Sequence, residues 1–135
     1  MELKTVEIAV KKLNKAEWNY KENDEAMAAK LAENIRRNGI LQVSVIYEED
    51  GKLIVLDGNH RLDAYREIGI EKVPCVNLGA IERERAVRIA IELNETRFAN
   101  DIKKLSEAMK IINAEFSIED MEKTLGFPSE DIHAL

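Results

Sequence analysis

Hydrophobic and polar positions alternate near the start of the chain and then recur at helical spacing. Residues 6–13 (VEIAVKKL) alternate and carry β-branched side chains, which is typical of a strand. The polar residues 14–23 predict a loop. After the loop, apolar side chains recur every three or four residues up to Gly39, between an aspartate suited to the start of a helix and two arginines suited to its end. This pattern predicts a helix over residues 24–39.

The next pattern is that of a hairpin followed by a helix. Residues 43–48 (VSVIYE) and 52–57 (KLIVLD) are rich in β-branched and apolar side chains, and the Asp50-Gly51 pair between them favours a hairpin turn. Residues 59–69 (NHRLDAYREIG) then return to helical spacing and end at a glycine, which is a common helix stop. The sequence therefore predicts two antiparallel strands that lead directly into a second helix.

A change of character near residue 79 divides the chain. Residues 70–79 predict one more strand, and Pro74 suggests an edge strand or a strand end. Beyond residue 79 the pattern is helical throughout, with no further strand signal. We expect an α+β fold, with a small mixed sheet and packed helices in residues 1–79. Residues 80–135 are expected to form a helical extension packed on that domain.

Composition limits the class of protein and its partners. The formal net charge is −6, which weighs against general nucleic-acid binding because phosphate neutralisation by Lys and Arg supplies most of that affinity. The single cysteine, Cys75, excludes an internal disulfide and fits a reducing compartment. No apolar run is long enough to cross a membrane, and the first residues do not have the pattern of a signal peptide. These features predict a soluble, cytoplasmic domain without a membrane partner.

The segment LDGNHR, where the predicted hairpin passes into a helix, contains the main candidate chemistry. A helix N-terminus has unpaired amide groups and a partial positive charge, which favour an anion. Gly58 allows close approach of a ligand, Asn59 is a suitable cap, and His60 and Arg61 add donors in the first turn. The residues predict a phosphate-binding corner. The alternative is an ordinary capped helix in which Arg61 pairs with a neighbouring acid such as Asp57.

Four segments give the chain a resemblance to the ParB/sulfiredoxin superfamily, covering roughly residues 6–115. IRRNGILQ is similar to a Gly-x-x-Gln-Pro run of ParB-like domains, and DGNHRLDA is similar to their Gly-x-His/Arg-Arg-x-x-Ala box. GIEKVPCVNL resembles their Val-Pro-Val strand, and IELNETRFANDIKKLSEAMKII resembles the Asn-x-x-Arg segment and the following helix. The resemblance implies a ParB/sulfiredoxin-like fold, nearest in layout to short phage and mobile-element proteins with a ParB-like nuclease domain.

In this superfamily the His-Arg corner binds nucleotide phosphates, so the resemblance implies CTP or ATP/ADP with Mg²⁺ as the cofactor. Carried onto this sequence, it implies nucleotide contacts from seven residues: Gln42, Gly58, Asn59, His60, Arg61, Asn94 and Arg97. Asp57 and Asn94 are the expected metal ligands. The leading hypothesis is a nucleotide-binding module linked to DNA partitioning or to a mobile element.

Two departures from the superfamily patterns reduce the number of activities expected for this chain. Asn59 stands where sulfiredoxin has its catalytic cysteine, and Cys75 is expected to be a small buried residue, so sulfiredoxin activity is excluded. Leu93 stands where ParB proteins have a glutamate that helps to hold the metal, and leucine offers no ligand. CTP binding is compatible with this change, whereas hydrolysis by the ParB mechanism loses a required group.

Other activities stay open at the level of sequence. A phosphotransferase similar to free serine kinase, or a hydrolase, would use Glu17 as a base together with Asp57 and His60. A ParB-like nuclease or DNA-binding adaptor would use the same basic corner, or a local basic patch, against DNA. The last segment, residues 117–135, is acidic, whereas a helix that reads DNA would be basic. We therefore expect these residues to form a pair of helices that covers the end of the domain. Association into a homodimer is a further possibility.

Overall fold

A five-stranded mixed sheet lies at the centre of the fold. The computed structural model of the chain describes residues 3–127 and 131–132. The strands are β1 (Thr5–Ala9), β2 (Leu13–Lys15), β3 (Ser44–Glu49), β4 (Lys52–Asp57) and β5 (Lys72–Asn77). They lie in the order β1-β5-β3-β4-β2. The β1–β5 and β3–β4 pairs are antiparallel, whereas β3–β5 and β2–β4 are parallel.

Five α-helices accompany the sheet in the described ranges. They are α1 (Glu25–Asn38), α2 (Asn59–Ile68), α3 (Arg83–Glu95), α4 (Ile102–Asn113) and α5 (Ile118–Glu122). The capping aspartate of α1 was predicted correctly: the Asp24 side chain accepts a hydrogen bond of 3.0 Å from the Met27 amide. The helices predicted over residues 24–39 and 59–69 are present as α1 and α2, with ends inside the predicted ranges, and α3, α4 and α5 lie in the part of the chain predicted to be helical. The α+β class and the small mixed sheet are confirmed.

Both faces of the sheet are buried, because neighbouring residues of a strand point to opposite sides. Ile46 and Val55 are fully buried on the face that packs against α1 and α2. Their neighbours Tyr47 and Leu56 pack on the other face against α3. The sheet therefore places α2 and α3 on opposite sides of β4.

The predicted strand over residues 6–13 is wrong in extent. The structure divides this segment into β1, a turn of 3₁₀ helix (Val10–Lys12) and the start of β2, which continues into the predicted loop. β1 pairs with β5 and β2 pairs with β4, so the chain crosses from one edge of the sheet to the other. Alternation of apolar and polar residues indicates an extended backbone, but it does not indicate which strand will pair with that backbone.

The edge position suggested by Pro74 is also corrected. β5 lies inside the sheet, between β1 and β3. Pro74 is opposite Glu7 of β1, and the ladder between β5 and β3 begins only at Cys75. A proline is tolerated at this point because it precedes the residues that pair with β3.

The last helices share a small apolar cluster of their own, and polar contacts join them to α1. Met109, Met121 and Ile132 form the buried part of the cluster. Arg37 of α1 donates to both carboxylate oxygens of Asp120, at 2.7 and 3.0 Å. The domain boundary at residue 79 stays a prediction, and much of the expected second helix of the final pair lies outside the described residues. Within the described part of the chain, no helix has both the length and the apolar character needed to cross a membrane.

The core generates a stability prediction. Leu62 is 1% exposed, so Leu62→Ala should lower the free energy of unfolding by about 2–5 kcal/mol through lost burial and a cavity. Leu41 is 78% exposed, and the matched Leu41→Ala change should stay within about 0.5 kcal/mol of the wild type. Urea unfolding of the three proteins tests this, and equal losses in the two variants would contradict the assigned core.

Candidate functional site

The turn between β4 and α2 requires a glycine. Gly58 has φ 113° and ψ 22°, in the left-handed region that other residues avoid. A Cβ atom at this position would lie 2.9 Å from the Ser44 hydroxyl oxygen and 3.2 Å from Nη2 of Arg61. The missing side chain therefore permits both the backbone turn and the close approach of β3 and the first turn of α2.

The start of α2 has unpaired amides and no side-chain cap. Gly58 is the N-cap residue, and the first helical hydrogen bond runs from the Leu62 amide to the Gly58 carbonyl at 2.9 Å. The amides of residues 59–61 precede that bond and have no partner within the helix. These amides and the helix dipole make this end of α2 suitable for an anion.

Asn59 does not cap the helix as predicted, because its side chain is buried and used elsewhere. Its Oδ1 accepts a hydrogen bond of 2.9 Å from the Ala16 amide, and its Nδ2 donates to the Val55 carbonyl at 3.1 Å. The residue is 6% exposed. Asn59 therefore ties the loop that follows β2 to the β4–α2 turn.

Arg61 is held beside the turn by neighbouring oxygens. Its Nη1 donates to Oε1 of Gln42 at 2.7 Å, and its Nη2 donates to the Val43 carbonyl at 3.3 Å. The carboxylate of Asp57 lies 3.6 Å from Nη2. The Nε atom is buried and has no hydrogen-bond partner among the described residues. The ion pair expected for an ordinary capped helix is present, yet the guanidinium retains an unsatisfied donor, which a native structure seldom leaves without a reason.

A cavity of about 140 Å³ brings most of the predicted site residues together. It is lined by ten residues: Asn19, Lys21, Leu31, Leu56, Asp57, Gly58, Asn59, His60, Arg61 and Asn94. Two further cavities of about 240 Å³ share Leu31 with it. One of them reaches past His60 towards Thr124, and the other contains Gln42 and Arg61. The three cavities surround the first turn of α2.

Two predicted residues lie outside these cavities. The Glu17 side chain is 85% exposed, and its carboxylate is 3.9 Å from Nη1 of Arg83. Arg97 is exposed and follows the end of α3, since Thr96 is the C-cap of that helix. Arg97 therefore lies beyond the helix that contains Asn94. Asn94 does line the central cavity, and its Nδ2 donates to the Ala90 carbonyl at 2.9 Å.

Sequence reasoning missed several residues of the site. Asn19 and Lys21 line the cavity from the loop before α1, and Leu31 borders all three cavities from α1. Ser44 is buried against Gly58. Lys21 offered a weak signal, as a basic residue in a long polar loop near the predicted corner. The others have no sequence signal, because their positions depend on how α1 and β3 pack beside α2.

Burial controls the protonation of the groups behind the site. It raises the pKa of Tyr65, against the effect of the nearby Arg61 guanidinium. Burial also raises the pKa of Cys75 to about 11. The Cys75 thiol is fully buried and protonated at neutral pH, which agrees with the exclusion of sulfiredoxin chemistry.

Several solved structures have a similar fold. The chromosome-partitioning protein ParB of Caulobacter crescentus, C-terminally truncated and complexed with CTP-γ-S, superposes with a TM-score of 0.80 at 18% identity, over 96% of this chain and 74% of that chain. The same protein complexed to the centromeric parS site gives 0.55 at 16% identity, over 95% and 68%. Sulfiredoxin from Arabidopsis thaliana gives 0.52 at 22% identity, over 65% and 97%. At these identities the likeness shows the shared ParB/sulfiredoxin fold.

The family follows from the sequence itself. Residues 1–95 match the family model described as the ParB N-terminal domain. The chain therefore belongs to the ParB N-terminal domain family, as its sequence motifs had implied. None of the curated proteins matches it.

Replacing Gly58 should cost more stability than replacing a glycine with the same backbone requirement. Gly51→Ala introduces a side chain at φ 75° with nothing within 4 Å of its Cβ, so we expect a loss of about 1–2 kcal/mol from backbone strain. Gly58→Ala adds the contact with Ser44, for a further loss of about 1–3 kcal/mol. Equal unfolding free energies for the two variants would contradict the close packing at the turn.

The buried thiol generates a pH prediction. Its pKa is raised in the folded state from 9.0 to about 11, so folding favours the protonated form. That contribution to stability is complete below about pH 9 and is lost as the pH rises towards 11, by on the order of 2 kcal/mol. Urea unfolding of wild type and Cys75→Ala should show a shallower decline in the variant, while Tyr47 and Tyr65 titrate in both proteins. Parallel pH profiles would show that Cys75 makes no such contribution.

Proposed function

We propose that this chain is a ParB-like nucleotide-binding module that grips the phosphates of a nucleoside triphosphate at the start of α2. The observation that carries the proposal is the combination at that corner of a left-handed Gly58, an uncapped helix N-terminus and an Arg61 guanidinium held beside it by Gln42 and the Val43 carbonyl. The helix N-terminus and the guanidinium favour an anion, Gly58 permits its close approach, and all three border one cavity.

The protein groups at the corner have complementary tasks. The amides of residues 59–61 donate to phosphate oxygens, and the Arg61 guanidinium adds charge-assisted hydrogen bonds. Gln42 and the Val43 carbonyl orient that guanidinium before ligand binding. Lys21 and His60 line the cavity and supply further donors from the loop and from α2. Arg97, which is exposed, reaches the ligand only if the segment after α3 folds inward.

CTP is the nucleotide we favour, with ATP or ADP as alternatives. The support is the fold shared with the Caulobacter crescentus ParB that was crystallised with CTP-γ-S. Asp57 and Asn94 line the same cavity, and their oxygen atoms suit Mg²⁺, which usually binds one or two carboxylates together with phosphates and water. When bound, the ion would neutralise phosphate charge; the protein residues hold and orient the nucleotide.

Nucleotide binding is better supported than chemistry at this site. The proposed base Glu17 lies near Arg83 and outside the cavity lining, so a phosphotransferase or hydrolase that uses it with Asp57 and His60 is less well supported. Leu93, at the position where a glutamate was expected, is half exposed and offers no atom that could bind a metal ion. In the described ranges, no group of three His, Cys, Asp or Glu side chains could hold a metal ion, so the donor set gives a two-metal nuclease no support.

A role in DNA partitioning, or in a mobile element, is the wider part of the proposal. Its support is the family and the fold shared with a ParB complexed to parS. DNA contact would have to use a local basic patch, because the chain as a whole is acidic.

Association into a homodimer would cover the apolar side chains after α3, where Phe98 and Ile102 are 101% and 66% exposed. Light scattering with and without nucleotide tests the dimer.

The first experiment is thermal unfolding with CTP, ATP, ADP or GTP and Mg²⁺. A ligand that binds the native state raises the melting temperature, and we expect CTP to give the largest rise. Arg61→Ala should weaken binding by about 10–100-fold, because it removes charge-assisted hydrogen bonds worth roughly 1.5–3 kcal/mol. Arg88→Ala is the matched control, since Arg88 is 81% exposed and carries the same charge on α3.

Each result separates the functions considered above. A CTP shift that disappears in Arg61→Ala and persists in Arg88→Ala supports the proposal. No shift with any nucleotide would refute it, and a salt-dependent affinity for DNA would then favour the adaptor function. Consumption of nucleotide that requires an acceptor and stops in Glu17→Gln would instead favour the phosphotransferase.

A further inference from the structure

Helix α3 lies on the sheet through a narrow stripe of residues. Arg83, Ala86, Ala90 and Asn94 follow one another at spacings of three and four, which places them on one face of the helix. Ala86 and Ala90 are fully buried and pack with Tyr47 and Leu56, and the larger Ile89 is partly buried against the same cluster. The alanine methyl groups allow close contact, but they interlock weakly along the helix axis. Polar contacts at the two ends of the stripe therefore help to fix the lengthwise position of α3.

A polar contact fixes the first end of the stripe. Nε of Arg83 donates to Oε2 of Glu49 at 3.1 Å, and Nη2 of Arg83 donates to the other oxygen of the same carboxylate. This two-bond geometry specifies position as well as charge. Glu49 is held in turn, because the Tyr47 hydroxyl donates to its Oε2 at 3.0 Å and itself accepts from the Trp18 indole at 3.1 Å. The pair is thus anchored on the sheet.

The other end of the stripe reaches the ligand cavity. Asn94 lies 11 residues after Arg83, or about 16 Å along the helix, and it lines the cavity together with Asp57 and Arg61. Its amide nitrogen donates one hydrogen bond to its own helix, which holds the side chain so that its amide oxygen can accept from a ligand or bind a metal ion. A shift of α3 by a fraction of an ångström would displace that oxygen, because a helix moves as a stiff unit.

We infer that Arg83 and Glu49 are positioning residues for the nucleotide site: their ion pair sets the lengthwise position of α3 on the sheet and so holds Asn94 at the cavity. The inference rests on the proposed nucleotide function. It adds a specific pair outside the cavity on which ligand affinity depends, and it assigns a role to an arginine that the resemblance did not include.

The direction in which Glu49→Gln changes ligand affinity distinguishes positioning from simple electrostatics. Arg83→Ala removes a positive charge, which by itself weakens the binding of an anion. Glu49→Gln removes a negative charge, so long-range electrostatics alone would leave anion binding unchanged or strengthen it. Positioning predicts weaker binding in both variants, since both break the two-bond contact. Arg88→Ala again controls for loss of charge on the same helix.

The experiment measures the dissociation constant for CTP with Mg²⁺ by calorimetry in these variants, in Asn94→Ala and in Arg83→Ala combined with Asn94→Ala. We expect Arg83→Ala and Glu49→Gln each to weaken binding roughly five- to tenfold, at the lower end of couplings between distant groups. The double variant should bind no more weakly than Asn94→Ala, because Arg83 acts through Asn94. Fully additive losses, or wild-type affinity in Glu49→Gln, would overturn the inference.

A measurement without ligand keeps this inference separate from the nucleotide proposal. The side-chain amide signal of Asn94 in the ¹H–¹⁵N NMR spectrum should move in Arg83→Ala and in Glu49→Gln and stay in place in Arg88→Ala. An unmoved signal would refute the positioning role, whatever the protein binds. If the signal moves while the wild type binds no CTP, the nucleotide function fails and the structural coupling between the pair and Asn94 stands.

Discussion

The left-handed backbone at Gly58 is the constraint on which the rest of the site depends. Because no side chain projects from this residue, the end of β4 turns directly into α2 with Ser44 packed against the turn. That turn directs the unpaired amides of α2 and the Arg61 guanidinium to the same cavity. A residue with a Cβ would open the turn and separate β3 from the helix. The polar groups at the start of α2 therefore come together because of the backbone geometry at Gly58, and their charges depend on that arrangement for any shared effect.

The buried amide of Asn59 extends this constraint to the other side of the sheet. It holds the Ala16 amide, and two residues later Trp18 donates to Tyr47 beneath α3. The loop that follows β2 thus contacts both the β4–α2 turn and the polar contacts at the start of α3. A buried amide with both of its polar atoms satisfied stabilises one arrangement and makes alternatives costly. Asn59, which the sequence resemblance placed opposite a sulfiredoxin cysteine, has a structural role here.

The ParB/sulfiredoxin fold supports different chemistries, so the fold by itself does not define the activity. In this chain the features that favour an anion are retained at the start of α2, whereas the groups expected for catalysis are absent or displaced. Leu93 offers no metal ligand, and the Glu17 carboxylate lies beside Arg83. These residues are the reason that we propose a binding module. The inferred role of the Arg83–Glu49 pair would extend such a module to contacts that hold α3 in place.

The sequence alone determined the features that depend on neighbours in the chain. The helix cap at Asp24, the Asp50-Gly51 turn and the glycine turn at residue 58 were predictable, because each is a local conformational preference. The family was predictable because its motifs are short stretches of neighbouring residues. Tertiary structure decided the rest. It sent β1 and β2 to opposite edges of the sheet, paired Asn59 with an amide 43 residues away, and placed Glu17 beside Arg83 instead of the corner. Periodicity and spacing describe which side of an element is apolar, but they contain no information about which distant element will satisfy a polar group.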